Sequence, residues 1–297
     1  MNRDTFSTYN PIINFTFYIG AVVFGVFFVH PAFLACAVVL SSAYYLSIKG
    51  TAGVKFLLCM IPVFIMLSVL NPLVNITGET VMFTWAGGRP YTLEALIYGA
   101  ALGAMFVSVI IWFATYSIVM TSDKFIYIFG RLIPSLSLIL TMVLRLVLDY
   151  QRKLHQIAGA RSCIGKGTSD GTKKERAESG LTVISALTTW AFEGGITTAD
   201  SMRSRGYGSG KRTSFSIYSF GTRDKLLLAV MLAAAVLIIT AAFKGGMEAS
   251  FTPKIVIAGP DNLWTVIGII SYFIFLAIPT VLNVAEVITW RILRSRI

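Results

Sequence analysis

Acidic residues are scarce in this chain, and so are histidine and cysteine. Only 14 Asp and Glu face 25 Lys and Arg over 297 residues, and charged residues make up 13% of the total. That is about half the usual share, too little for an ordinary soluble domain. His30 and His155 stand far apart, and Cys36, Cys59 and Cys163 follow no ligand or disulfide spacing, so no metal site or disulfide framework is expected. An intramembrane enzyme needs paired carboxylates, a Ser–His arrangement or a metal cluster within its apolar segments. Here those segments hold almost no ionisable groups; Glu94 and Glu286 lie near their ends, where snorkelling accounts for them. The cations are diluted by aliphatic residues and no recognition fold is visible, which argues against nucleic acid.

What the sequence has instead is apolar length. Hydrophobic residues reach 56% and the mean hydropathy is +0.75. Six windows approach the roughly 20 residues that cross a bilayer: Pro11–Val29, Ala32–Ile48, Val54–Leu70, Leu93–Val119, Leu226–Phe243 and Leu263–Ile288. The first is of spanning length with no cleavage site after it, so no cleavable signal peptide is expected. His30-Pro31 suits a tight turn between the first two windows. The expected fold is an all-α integral membrane protein. About four transmembrane helices fill residues 1–120, a cytoplasmic or interfacial helical region fills 121–224, and about two more helices with a basic tail fill 225–297.

One apolar run in the central region, Leu132 to Leu144, is only about 13 residues long before Arg145. Charge decides against its crossing. With six spans, only Arg89, Lys244 and Lys254 of the 25 Lys and Arg face outward, leaving 22 inside, as the positive-inside rule requires. Both termini and the central region are then cytoplasmic. Pro134 suits a first helical turn, followed by an interrupted stripe of Leu144, Val147, Leu154, Ile157 and Ala158, with Arg145 and Asp149 four apart. Glycines, Ser169 and Asp170 mark a connection, and a second helix runs from about Lys174 to Arg205 with Ile184, Leu187, Ala191 and Met202 on one side. Gly194-Gly195 weakens or bends it, and Gly206 ends it.

Two segments approach a phosphate-binding loop and miss. Around Lys211 the first glycine position holds Arg205 and Arg212 follows the lysine; around Lys166 the same positions hold Ala160 and Gly167. Lys211, Arg212, Arg223 and Lys225 precede a span and suit lipid head groups. Arg161 and Arg205 differ. Each ends an apolar stripe and is followed by small residues, so each guanidinium can enter a partner's groove and use its five donors. Helix-dipole stabilisation would explain one such arginine; two point to docking.

The segment YTLEALIYGAALGAMFVSVIIWFATYSIVMTSDKFIYIFGRLIPSLSLILTMVLRLVLDYQRKLHQIAGARSCIG, with TTADSMRSRGYGSGKRTSF after it, resembles the transmembrane T component of energy-coupling factor (ECF) transporters, the EcfT/CbiQ family. The resemblance implies an energy-transducing subunit of an ATP-driven importer of vitamins or transition-metal ions in the cell membrane. It further implies two ABC-type ATPase partners that bind the ATP, and a small membrane-embedded substrate-binding subunit. Such a chain has no catalytic residue, metal or cofactor of its own. The family's two Ala-Arg-Gly-type docking motifs correspond to Ala160-Arg161-Ser162 and Ser204-Arg205-Gly206, each departing by one small residue. Leu146-Val147-Leu148 stands where relatives often carry an aromatic and a proline. Leu132, Pro134, Leu136, Ile139, Met142 and Leu146 are expected to contact the substrate-binding subunit. A conventional ABC importer permease and a membrane enzyme acting on lipid-linked substrates are the rival readings.

Overall fold

A computed structural model describes residues 4–75, 78–85, 89–167, 171–207, 218–251, 255–259 and 261–294. Among these run α1 (Pro11–Phe27), α2 (Pro31–Lys49), α3 (Ala52–Val74), α4 (Leu93–Val119) and α5 (Ser122–Leu132). They are followed by α6 (Pro134–Cys163), α7 (Lys173–Ser204), α8 (Thr222–Phe243) and α9 (Leu263–Arg294). The chain divides into two units, Met1–Phe125 with Tyr218–Ile297, and Ile126–Ile217. The helices start where local chemistry dictates. Pro11 and Pro31 occupy first positions behind Asn10 and His30, whose side chains accept from the backbone N–H of Ile12 and Ala32. His30 is satisfied at both nitrogens, since Nε2 also lies 3.1 Å from the Ala258 carbonyl.

In the first unit, α2, α3, α4, α8 and α9 are long and apolar enough to cross a bilayer. α1, with 17 residues, reaches the lower end of what a span needs. The chain is a membrane-embedded helical protein. α4 is the hub, packing against α1, α2 and α3, while α9 packs on α8 and α2. Close approach of α4 to α3 depends on Gly99 and Gly103. A methyl group on Gly99 would fall 2.6 Å from the Ser68 carbonyl oxygen and the Asn71 Cβ, the small-residue packing that joins helices in lipid. Phe17 sits within ring contact of Phe6, Tyr18, Trp112 and Phe275, mostly edge to face.

A polar knot closes one end of this unit. Lys124, near the start of α5, is only 4% exposed. Its Nζ donates to the Ser7 carbonyl at 2.6 Å, the Ser7 hydroxyl at 2.8 Å and the Val119 carbonyl at 2.8 Å. Burial lowers its pKa to about 8. Beside it, Asn10 N–H donates to Asp224, tying the start of α1 to that of α8, and Thr5 N–H donates to Asn283 on α9.

Three features depart from the sequence expectation. Two short antiparallel ribbons interrupt the helices: β1 (Val81–Trp85) with β2 (Arg89–Thr92), and β3 (Ala249–Ser250) with β4 (Val256–Ile257). The β-rich run Val81-Met82-Phe83-Thr84-Trp85, with Gly87-Gly88 soon after it, carries a hairpin signal. Glu94 does not snorkel. It is buried and accepts from the Thr80 N–H and hydroxyl, pinning α4 to the ribbon's base. Glu286 likewise accepts from the Thr5 hydroxyl and from Trp290 Nε1.

Candidate functional site

The second unit contains most of α5, then α6 and α7. The apolar run Leu132–Leu144 is no single helix: α5 ends at Leu132, Ile133 is non-helical, and Pro134 opens α6. Neither α6 nor α7 ranks among the helices apolar enough to span. α7 begins with a capping box, the Thr172 hydroxyl accepting from Glu175 N–H and the Glu175 carboxylate accepting from Thr172 N–H. The backbone bond from Thr172, then its hydroxyl, lowers the Glu175 pKa.

α6 and α7 form an antiparallel hairpin. Arg161 Nη2 lies 3.4 Å from Ser179 Oγ, and the rings of Tyr150 and Trp190 meet at 5.6 Å. Eleven residues back along α6 correspond to eleven forward along α7, so the register is even. Lys153 Nζ sits 5.7 Å from the Trp190 ring centroid. Asp149 pairs with Arg145 at 3.9 Å and Arg152 at 3.7 Å; these exposed pairs contribute little stability. Val183, buried like Ser179, lies on the α7 side that faces α6, with Leu187, Trp190 and Ala191 half-buried around it. Ile184, expected on that side, is exposed. Gly194 and Gly195 do not interrupt α7.

Both helices end in one backbone device. At α6, Lys166 N–H donates to the Arg161 carbonyl, Gly165 N–H donates to the Ser162 carbonyl, and Gly165 has φ 72°. At α7, Tyr207 N–H donates to the Met202 carbonyl, Gly206 N–H donates to the Arg203 carbonyl, and Gly206 has φ 70°. This is the Schellman arrangement, which requires a left-handed glycine. The two arginines occupy different places in it. Arg161 lies four residues before its glycine, in the last turn, whereas Arg205 is the capping residue just before Gly206.

Their surroundings also differ. Arg161 is half-buried at the closed end of the hairpin, its Nε enclosed without an acceptor. Arg205 is exposed at the far end of α7, 26 residues from Ser179. At 1.5 Å per residue that is roughly 39 Å. Ala160, Ser162, Ser204 and Gly206 are exposed as well. The two serines turn their hydroxyls back onto their own helices, Ser162 to the Ala158 carbonyl and Ser204 to the Ser201 carbonyl, so each presents little more than a methylene.

Apolar side chains also remain uncovered on this hairpin. On α6, Ile139 is 56% exposed, Leu146 is exposed, and Met142 is half-buried. The side chains of Leu132, Pro134 and Leu136 lie outside the described residues, as do residues 168–170 of the connection and Gly208, Lys211 and Arg212. On α7, Leu181, Phe192 and Ile196 are exposed by 68%, 70% and 64%. Helical geometry puts them roughly opposite Val183 and Trp190, so the face of α7 turned away from α6 carries three large apolar side chains among polar ones. Its spacing was present in the sequence, but which apolar stripe α6 covers was not.

Among the described residues, no cluster of His, Cys, Asp or Glu is placed to hold a metal ion. Compared with known proteins, the chain matches no family model and no curated sequence.

Proposed function

We propose that the chain is the energy-transducing transmembrane subunit of an ECF-type importer in the plasma membrane, with six spans and cytoplasmic termini. The observation that carries this reading is the α6–α7 hairpin, inserted between apolar helices with an arginine at each end. Residues 126–217 hold 13 of the 25 Lys and Arg against six acids, which suits an acidic protein face. A separation of about 39 Å along a helix suits two partner subunits, each engaging one arginine, better than one subunit engaging both. Two ATPase subunits bind and hydrolyse the ATP, and this chain holds no catalytic residue or cofactor. Their closure moves the hairpin, whose exposed α6 residues around Ile139 contact a small substrate-binding membrane subunit. That subunit sets the solute, a vitamin or a transition-metal ion.

Arg161→Ala and Arg205→Ala test the reading. Truncating a buried interface arginine costs about 2 kcal/mol or more, and a rim arginine little. Each variant is expected to lose ATPase subunits on co-purification and to lower uptake in vesicles, the double variant more so. Lysine rescues poorly because it lacks the planar fork. Neutralising Lys211 and Arg212 together is the control; equal loss there would mean that general basicity, not docking, explains the segment.

A further inference from the structure

An apolar groove of about 520 Å³ lies between α2, α3 and α4. It exists because α2 and α3 both pack on α4 yet touch each other far less. Val38, Val39, Leu58, Ile61 and Val107 are among its walls, and Ser42 is its one polar lining residue. Val39, Leu58 and Ile61 are each more than half exposed. A groove with such walls on bilayer-crossing helices is open to acyl chains, not to water.

The α2–α3 end of this groove is cationic. Lys49 lies seven residues beyond Ser42, on the same side of α2, and Lys55 lies about one turn before the lining residue Leu58 on α3. The turn between them is tight: a methyl group on Gly53 would fall 3.2 Å from the Lys49 Cβ. Both lysines are exposed, and neither pairs with a carboxylate among the described residues. α3 also begins here without a side-chain cap, so its positive dipole end adds to the two ammonium groups.

We propose that this groove is a binding site for an anionic phospholipid, with an acyl chain lying along the apolar walls and the phosphate held by Lys49 and Lys55. Charge complementarity selects this occupant over a partner's apolar transmembrane helix, which would leave two ammonium groups unmatched. A phospholipid carries its negative charge at the depth where the helices end. The site is independent of the coupling role proposed for the hairpin.

The test uses the full-length protein reconstituted with equal amounts of phosphatidylglycerol and phosphatidylcholine. After gentle re-extraction, the lipid retained per protein is measured by mass spectrometry. Phosphatidylglycerol is expected to be enriched in the wild type. Lys49→Gln and Lys55→Gln should each reduce the enrichment roughly five-fold, the weight of one cation beside an anionic head group. Both side chains are exposed, so these variants leave the fold intact. Ala104→Phe, which fills the groove, should remove retained lipid of both kinds. No enrichment in the wild type, or enrichment unchanged in the double glutamine variant, overturns the proposal. So does a photo-crosslinker at Leu58 that captures a protein in native membranes.

Discussion

Lys124 shows what a single residue does here that its neighbours in sequence do not reveal. Its partners include Ser7, 117 positions away, so reading along the chain places it as one more juxtamembrane cation. Folded, it is an ammonium group enclosed by oxygen atoms with its pKa down to about 8. A lysine whose pKa falls on folding binds fewer protons folded than unfolded. Stability therefore rises as pH climbs from about 8 towards the usual lysine range, and gains nothing below that window. Thermal unfolding of the purified protein should follow this trend, and Lys124→Gln should flatten it. Arg161 and Arg205 were legible as helix-end arginines because the apolar stripe and the small residues after them are local signals. That Arg161 would be held by Ser179 depends on the hairpin register, which no local pattern encodes.

At the scale of elements, the long apolar helices were readable because their signal is composition summed over many residues. Their contacts were not. Gly99 reads as an ordinary glycine in an apolar run, yet the α3 backbone leaves no room for a side chain there. Gly99→Ala should destabilise by about 1–3 kcal/mol, since backbone must shift; unfolding in detergent with increasing denaturant measures it. Gly194 and Gly195 are the opposite case, with open space where a side chain would be. Alanine at each should raise helix stability by roughly 0.5–1 kcal/mol. If α7 flexes there during coupling, the same double variant should lower solute uptake while the melting temperature rises; unchanged uptake would assign the glycines no part in the motion. The break at Ile133 was obscured because apolar residues run straight through it, and Pro134 was its one visible mark.

For the whole molecule, the imbalance of 25 cations to 14 acids gave the sidedness argument without any knowledge of tertiary structure. Native Cys163 is exposed in the hairpin, and Lys244 is exposed just after α8. With Cys36 and Cys59 replaced by serine, six spans require Cys163 to label from the cytoplasmic side. A cysteine at Lys244, in a background that also lacks Cys163, should label from outside. Labelling of both from one side would reject the six-span arrangement. Composition alone sets a polar block between two apolar ones, since polarity changes sharply near residue 120 and again near 225. The two ribbons escaped because each is too short to alter that average.

The outward side chains of α7 bear on how a newly made copy of the chain is handled. Leu181, Phe192 and Ile196 are exposed apolar side chains of the kind that chaperones and proteases recognise on incomplete proteins. If a partner covers these side chains, as the proposed function implies, a copy without that partner stays marked for removal and a covered copy does not. Under the proposed function, removal of such uncovered copies would hold this chain in step with its partner subunits.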